Sequence, residues 1–332
     1  MNCEMVNTLA FFRLMRDGDK DWEHKSIDIR GLFQQTWKRI PFAEHKIQRV
    51  GMQVIEDVLA MSAWGAAQRR VDNRVGFIPT MGALHEGHLA LVDQALATCD
   101  AVVASVFVNP LQFNNPEDLR KYPRQLDQDR ALLEAQGCHV LFVPTNEGLY
   151  AKSKPKSYEL AALDQVLEGP SRPGHFQGVV NVVERLFNYT RPDKAFFGEK
   201  DRQQLAVIRH IAQQERWPEQ IIGCPTVRAA DGLALSSRNA RLTPEERTAA
   251  PLLYHSLCAV AQHAFDHSVD ACKQAGLEIL ASEPRVHLDY LEIAHPLSLQ
   301  PLTDWGSLEE ASVLIAASFG NVRLIDNLTL RR

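Results

Sequence analysis

Short apolar runs alternate with polar connections along most of the chain. Val75-Gly76-Phe77-Ile78 is the clearest run, and it predicts a buried strand. Pro79 is expected to end it, because proline has no N–H for the ladder. From Glu86 the period changes: Leu89, Leu91, Val92, Ala95 and Leu96 fall on one broad helical face. Ahead of the first run, Val54, Ile55, Val58, Leu59 and Met61 predict a helix. Asp100 to Val108 is valine-rich and reads as a fully buried parallel strand. A helix follows over about Gln125 to Gln136, stopped by Gly137, then a strand over His139 to Val143. Glu168 to Val180 is rich in glycine and proline and reads as a loop across a sheet edge, leading into a helix over Val179 to Tyr189. Lys194 to Phe197 and Ile221 to Val227 are strands around a helix from Arg202 to Gln214. This alternation predicts an α/β fold with a doubly wound parallel sheet.

The pattern changes after Asn239. Thr243-Pro244-Glu245-Glu246 is a helix start, with Thr as N-cap and Pro at the first position. Two helices are expected, about Pro244 to Asp266 and Val269 to Ser282. Strands over Val286 to Ile293, Ser312 to Phe319 and Val322 to Asp326 follow, with Phe319-Gly320-Asn321-Val322 as a hairpin turn. This is a small α+β arrangement. The expected organisation is an N-terminal extension over 1–51, a larger domain over 52–239 and a smaller C-terminal α+β domain over 240–332.

Composition narrows the function classes. The 332 residues are 45% hydrophobic, enough for one large or two medium domains. Lysine and arginine number 36 against 41 acidic residues, a net charge of −5, so no basic excess points to nucleic acid. No run approaches the roughly 18 apolar residues of a membrane span. Cys3, Cys99, Cys138, Cys224, Cys258 and Cys272 are scattered without a Cys-x-x-Cys, so neither a disulfide framework nor a zinc site is indicated. In the extension, Met5, Leu9, Phe12 and Met15 could share one face of a short helix. No signal peptide is evident, and the early acids Glu4, Asp17 and Asp19 speak against a presequence; a cytoplasmic protein is expected.

Five segments can converge at strand C-termini, the edge where open α/β sheets bind ligands. In Met81 to His88, a strand, a glycine turn and a helix start aim backbone N–H groups at an anion. Its His85 and His88 stand three residues apart and can share one side of the helix start, with the bare backbone of Gly87 between them. The pair can grip an anion, cap the helix or bind zinc, although no third zinc ligand stands at usual spacing. Gln112, after the Asp100 to Val108 strand, carries an amide that donates and accepts. Arg172 precedes Gly174-His175-Phe176-Gln177-Gly178, whose two glycines would let a backbone come near a ligand. Gly198-Glu199-Lys200-Asp201 offers a positive charge for phosphate, with Gln204 one turn beyond. Ser236-Ser237-Arg238 supplies hydroxyls and a guanidinium suited to phosphate oxygens.

Pro79-Thr80-Met81-Gly82-Ala83-Leu84-His85-Glu86-Gly87-His88 resembles the signature of the pantothenate synthetase (pantoate–β-alanine ligase) family. That family sits in the nucleotidylyl-transferring superfamily, with the class I aminoacyl-tRNA synthetases. The likeness runs over about residues 52–332 and includes Leu291-Glu292-Ile293 and Arg323-Leu324-Ile325-Asp326-Asn327. It implies a Rossmann-like doubly wound sheet over 52–239 that binds ATP and pantoate. It also implies condensation of (R)-pantoate with β-alanine to pantothenate, AMP and pyrophosphate through a pantoyl adenylate. Mg²⁺ would accompany ATP, with no metal held by the protein alone, and the family likeness implies a homodimer. Positions matching the family's ATP site are Met81, Gly82, Ala83, Leu84, His85, Glu86, Gly87, His88, Gly198, Glu199, Lys200, Asp201, Val227, Leu235, Ser236, Ser237 and Arg238. His88 also matches the assigned proton donor, and Gln112 and Gln204 match the pantoate-binding glutamines, Gln112 lying near β-alanine as well. Two rivals stand beside this reading. A plain nucleotidyltransferase would want a basic pocket where Gln112 and Gln204 are neutral, and an ATP sensor without turnover would not need His88, Lys200 and Arg238 together.

Overall fold

The computed structural model describes residues 51–114, 116–151 and 154–332. The helix expected around Met5 to Met15 lies outside the described residues. Six strands, β1 (Gln53–Ile55), β2 (Val75–Thr80), β3 (Ala101–Val106), β4 (Val140–Phe142), β5 (Lys194–Gly198) and β6 (Gln220–Cys224), form one parallel sheet in the order β1-β4-β3-β2-β5-β6. The chain winds outward from β2 through β3 to β4, then returns to place β5 on the other side of β2. That reversal is the topological switch point, where a crevice opens at the strand C-termini.

Helices cover both faces. On one, α1 (Val58–Arg70), α4 (His175–Thr190) and α5 (Arg202–Gln214) bury Phe77, Val103 and Phe142, with Phe77 edge-on to Phe187 at 6.1 Å. On the other, α2 (Glu86–Leu96) and α3 (Leu126–Gln136) pack over Ile78, Val102, Leu141 and Phe196. α2 starts where the apolar period begins, and α3 ends on Gly137 in the left-handed region, φ 89°.

A separate antiparallel sheet, β7 (Val286–Ala294), β8 (Glu310–Phe319) and β9 (Val322–Arg331), packs its own core against α6 (Pro244–Ala249), α7 (Leu252–His263) and α8 (Val269–Ala281). The β8–β9 hairpin turns at Gly320, φ 53°, as its residues foretell. The α6 start is a capping box: Glu246 N–H donates to Thr243 Oγ1 at 3.2 Å and Thr243 N–H to Glu246 Oε2 at 2.9 Å.

Four expectations need correction. Gln53–Ile55 is a strand pairing with Val140–Phe142, and the helix starts only after Asp57, whose Oδ1 accepts the Ala60 N–H at 2.7 Å. Three residues are too few to show a period of two, so they merge with the helical pattern behind them. Pro79 does not end β2 on both sides: pairing with β3 continues through Thr80, while pairing with β5 stops at Phe77. The segment from Pro244 to Asp266 is two helices, because Pro251 lacks the N–H that would continue the first. Lastly, α4 begins at His175, four residues before Val179, so His175 to Gly178 is its first turn rather than loop.

Candidate active site

The cleft opens where β2 and β5 part. Pro79 and Thr80 line one side of it, and Phe196, Phe197 and Gly198 the other. Its larger lobe holds about 200 Å³, and a smaller lobe of about 70 Å³ adjoins it. Met81, Gln112, Lys200, Asp201, Gln204 and Arg238 border both lobes.

After β2 the chain turns through Gly82 at φ 81° and Ala83 at φ 51°. The amides of this turn are already committed. Asp129 of α3, 1% exposed, accepts Ala83 N–H on Oδ2 at 3.0 Å and Leu84 N–H on Oδ1 at 2.7 Å. The anion that these amides hold is therefore the protein's own carboxylate. Gly82, Ala83 and Leu84 sit behind the cavity wall, Glu86 faces outward on α2, and Glu199 is likewise off the wall. The other expected nucleotide contacts, Met81, His85, Gly87, His88, Gly198, Lys200, Asp201, Val227, Leu235, Ser236, Ser237 and Arg238, share the larger lobe with Gln112 and Gln204.

His85 and His88 cap α2 and also line the cavity. His85 Nδ1 accepts Gly87 N–H at 3.1 Å, and His88 Nδ1 accepts His85 N–H at 3.3 Å. Their ring centroids stand 4.1 Å apart. Burial, then the charge of Lys200, lowers His85 to about 4. Burial, then the neighbouring His85, lowers His88 to about 3. Both rings are neutral at pH 7, and with Nδ1 accepting, the proton of each sits on Nε2. The pair thus presents N–H donors without positive charge.

Gln112 is fixed from three sides. Its carbonyl accepts His175 Nδ1–H at 2.8 Å, its Nε2 donates to the Met81 sulfur at 2.7 Å, and Asn109 anchors the turn before it. Buried Asn109 donates from Nδ2 to the Gly178 carbonyl at 3.0 Å, and its Oδ1 accepts Tyr150 O–H at 2.9 Å. Gly178 has no ligand-facing role. A Cβ there would lie 2.3 Å from the Leu111 carbonyl oxygen, so glycine is what lets α4 pack against the Gln112 turn.

On the far side, the C-terminal sheet braces the Lys200 turn. Asn327 Nδ2 donates to the carbonyls of Glu199 at 3.0 Å and Lys200 at 2.9 Å. Arg228 makes a two-pronged pair with Asp326 beside it. Gln203 is structural: its Oε1 accepts Glu168 N–H at 2.9 Å and its Nε2 donates to the Val166 carbonyl at 2.9 Å, whereas Gln204 lines the cleft. Burial tends to raise the Asp201 carboxyl, but Lys200, Arg238 and Arg172 together hold it below the usual range. Ser236 Oγ accepts Arg238 N–H at 3.2 Å, which shapes the loop that closes the cleft.

Asn109, Asp129, His175 and Asn327 are not evident from sequence as positioning residues. Asn109-Pro110 is a turn signal that could have flagged the first. Asp129 and Asn327 carry no local signal, because each acts on a turn distant in sequence.

Comparison with known proteins gives the family of the chain. The Pantoate-beta-alanine ligase family model matches residues 53–329. The pantothenate synthetase of Pseudomonas putida is 50% identical over 289 residues, covering 84% of this chain and 98% of that protein. That of Chloroflexus aggregans is 46% identical over 281 residues, covering 84% of this chain and all of that protein. The crystal structure of pantothenate synthetase from Thermus thermophilus superposes with a TM-score of 0.78 at 47% identity, over 83% of this chain and 99% of that one. The pantoate-β-alanine ligase from Francisella tularensis, complexed with beta-gamma ATP and β-alanine, matches at TM-score 0.67 and 33% identity, over 83% and 97% of the two chains.

Proposed function

Because this chain belongs to the pantoate–β-alanine ligase family, we propose that its cleft joins the two substrates in two steps, through a pantoyl adenylate. The enzyme is a carbon–nitrogen ligase that uses ATP and forms pantothenate. In the first step the pantoate carboxylate attacks the α-phosphorus of ATP and pyrophosphate leaves. In the second the β-alanine amine takes the acyl group and AMP leaves. A free carboxylate is a poor electrophile, and adenylation supplies its leaving group.

The observation that carries this reading is the neutral histidine pair facing Lys200 and Arg238 in one cavity with Gln112 and Gln204. Charge that builds on the phosphates meets donors already in place: His85 and His88 Nε2–H, the Lys200 ammonium, and the Ser236, Ser237 and Arg238 side chains. His88 acts as a hydrogen-bond donor to the leaving phosphate from its neutral form. Gln112 and Gln204 bind pantoate by neutral amides, and Phe107, Tyr122, Val179 and Val183 offer an apolar wall for its methyl groups. Val227 and Leu235 flank the adenosine end.

Mg²⁺ fits this site as a companion of the nucleotide, shielding phosphate charge. Among the described residues no cluster of three metal-binding side chains exists, and Asp201 is the carboxylate the larger lobe offers it. In this reading residues 52–239 bind ATP and pantoate, and 240–332 brace Lys200 through Asn327. A cytoplasmic homodimer is the expected working form, on the family likeness, and light scattering checks the dimer. The chemistry is tested by ATP–pyrophosphate exchange. Exchange that requires pantoate but not β-alanine is expected; exchange without pantoate, or none with it, overturns the adenylate.

A further inference from the structure

We propose that Arg228 is a positioning residue for the adenylation step. Its guanidinium sets the spacing between the Lys200 turn and the Ser236–Arg238 loop, the two walls that would hold the nucleotide phosphates. This rests on the ligase reading above. Arg228 borders neither lobe of the cleft, so it acts through its neighbours and not on a substrate. It stands between the two segments that carry those walls and is bonded to both.

The first segment is a narrow ribbon over 227–235. Leu235 N–H donates to the Val227 carbonyl at 2.9 Å, and Ala229 N–H to the Leu233 carbonyl at 2.9 Å. Val227 and Leu235 line the larger lobe, and Leu235 leads directly into Ser236, Ser237 and Arg238. Arg228 Nη1 donates to the Gly232 carbonyl at 3.1 Å, across the ribbon's turn. The second segment is β9. Arg228 Nη1 and Nη2 donate to Asp326 at 2.5 and 2.9 Å, and Nη2 also donates to the Asn327 carbonyl at 3.2 Å. Asp326, 4% exposed, steadies its own strand as well: Oδ1 accepts Asn327 N–H at 2.7 Å. Asn327 then carries the contact to the carbonyls of Glu199 and Lys200.

One planar cation thus meets the Gly232 carbonyl, the Asp326 carboxylate and the Asn327 carbonyl together. A guanidinium has its donors in a rigid fork that can do this, whereas an ammonium is a point donor on a flexible stem. The plane is also fixed from its face. Arg228 Cζ lies 4.2 Å from the ring centroid of Tyr254 on α7. Gly232, at φ 90°, packs on the same ring, where a Cβ would lie 2.2 Å from Tyr254 Cδ1. The ribbon, β9 and α7 therefore meet in one joint. In the proposed route both walls grip phosphate while pyrophosphate is leaving, so their spacing governs adenylation. The amine attacks the acyl carbon after pyrophosphate has gone, and that step does not need the spacing.

The test separates the two half-reactions. Pantoate-dependent ATP–pyrophosphate exchange reads the first. For the second, enzyme held with ATP, pantoate and pyrophosphatase is mixed with β-alanine, and the burst of pantothenate is timed. Arg228→Lys keeps a cation beside buried Asp326 and removes the fork. Its exchange rate should fall about tenfold, while its burst rate stays within about twofold of the parent. Because Arg228 reaches Lys200 through Asn327, adding Asn327→Ala should lower exchange by much less than the product of the two single losses. A burst slowed as much as exchange marks a merely structural residue and overturns the proposal. So does parental exchange in Arg228→Lys, or a double loss equal to the product. Tyr254→Leu frees the guanidinium plane without touching its charge, and it keeps the test open if Arg228→Lys does not fold. It should show the same split on a smaller scale; equal slowing of both steps, or of neither, overturns the proposal. Absence of exchange in the parent enzyme is a different result: it removes the ligase reading itself, and this proposal with it.

Discussion

Asp129 Oδ1 accepts the backbone N–H of Leu84 at 2.7 Å, from a helix 45 residues further along the chain. With Ala83 N–H on the other oxygen, one buried carboxylate holds the turn that presents His85. Asp129→Ala would leave two buried amides without partners, at about 1–3 kcal/mol each. The thermal midpoint should fall by several degrees, and KM for ATP should rise as the His85 cap loosens. Asp129→Asn, which keeps one acceptor oxygen, should lie between the two. A variant with parental melting and parental KM would show that the turn holds itself.

The histidines tie stability to pH. The ordinary value is 6.5, and the fold lowers His85 to about 4, His88 to about 3 and His175 to about 4. Between those values and 6.5 the unfolded chain binds more protons than the folded one. The stability these neutral rings contribute is therefore whole above about 6.5 and is lost as pH falls toward 4 and then 3. Urea midpoints between pH 7 and 4.5 should fall less steeply in His85→Asn than in the parent. Equal slopes would mean that the ring titrates alike in both states.

Lys200 and Asn327 form a donor and its brace. Lys200→Ala should lower kcat by about 10²–10³, the usual loss for one preorganised donor, with little change in melting. Asn327→Ala removes the hydrogen bonds to the Glu199 and Lys200 carbonyls and leaves the ammonium in place. Its kcat should fall less, on the order of tenfold, because the charge remains but its position loosens. Rates in the reverse order would move the main role from the charge to the turn.

Gly178 is a packing constraint on the Gln112 turn. A Cβ at this position meets the Leu111 carbonyl oxygen at 2.3 Å and Gln112 N at 2.7 Å, both backbone atoms that cannot rotate away. Gly178→Ala should cost about 1–3 kcal/mol through overpacking and push the Gln112 turn outward. KM for pantoate should rise more than KM for ATP. Equal changes in both would show a general loosening instead.

The parts legible in sequence are those set by near neighbours. α2 follows its apolar stripe, α3 stops at Gly137, and the Thr243 box starts α6 where its residues place it. The convergence of Met81, Gln112, Lys200, Gln204 and Arg238 follows from putting each segment at a strand C-terminus, which the parallel register supports. Contacts across the fold are what the sequence conceals. Nothing near Asp129 shows that its carboxylate takes amides 45 residues away, and nothing near Asn327 points to the Lys200 turn. Gly178 misleads for the same reason: a close approach is visible in sequence, but not what approaches. The three-residue strand β1 is hidden because its pairing partner, not its own pattern, defines it.

The route through α-phosphorus can be read from the fate of one oxygen. An acyl-phosphate ligase would also consume ATP and make the same amide, but through attack at the γ-phosphorus, with release of ADP. The His85–His88 pair at the α2 start and the Ser236–Arg238 loop both line the larger lobe, where in the proposed route they would hold a departing pyrophosphate. In the proposed route pantoate, held by Gln112 and Gln204 of this lobe, is the nucleophile, so one of its carboxyl oxygens would become bonded to phosphorus. When the amine later breaks the acyl carbon's bond to that oxygen, the oxygen leaves with AMP. Pantoate carrying ¹⁸O in its carboxyl group should therefore transfer one label to AMP in full turnover, as mass spectrometry of the products can show. Label in inorganic phosphate alongside ADP would assign γ-attack, and unlabelled AMP would sink the pantoyl adenylate.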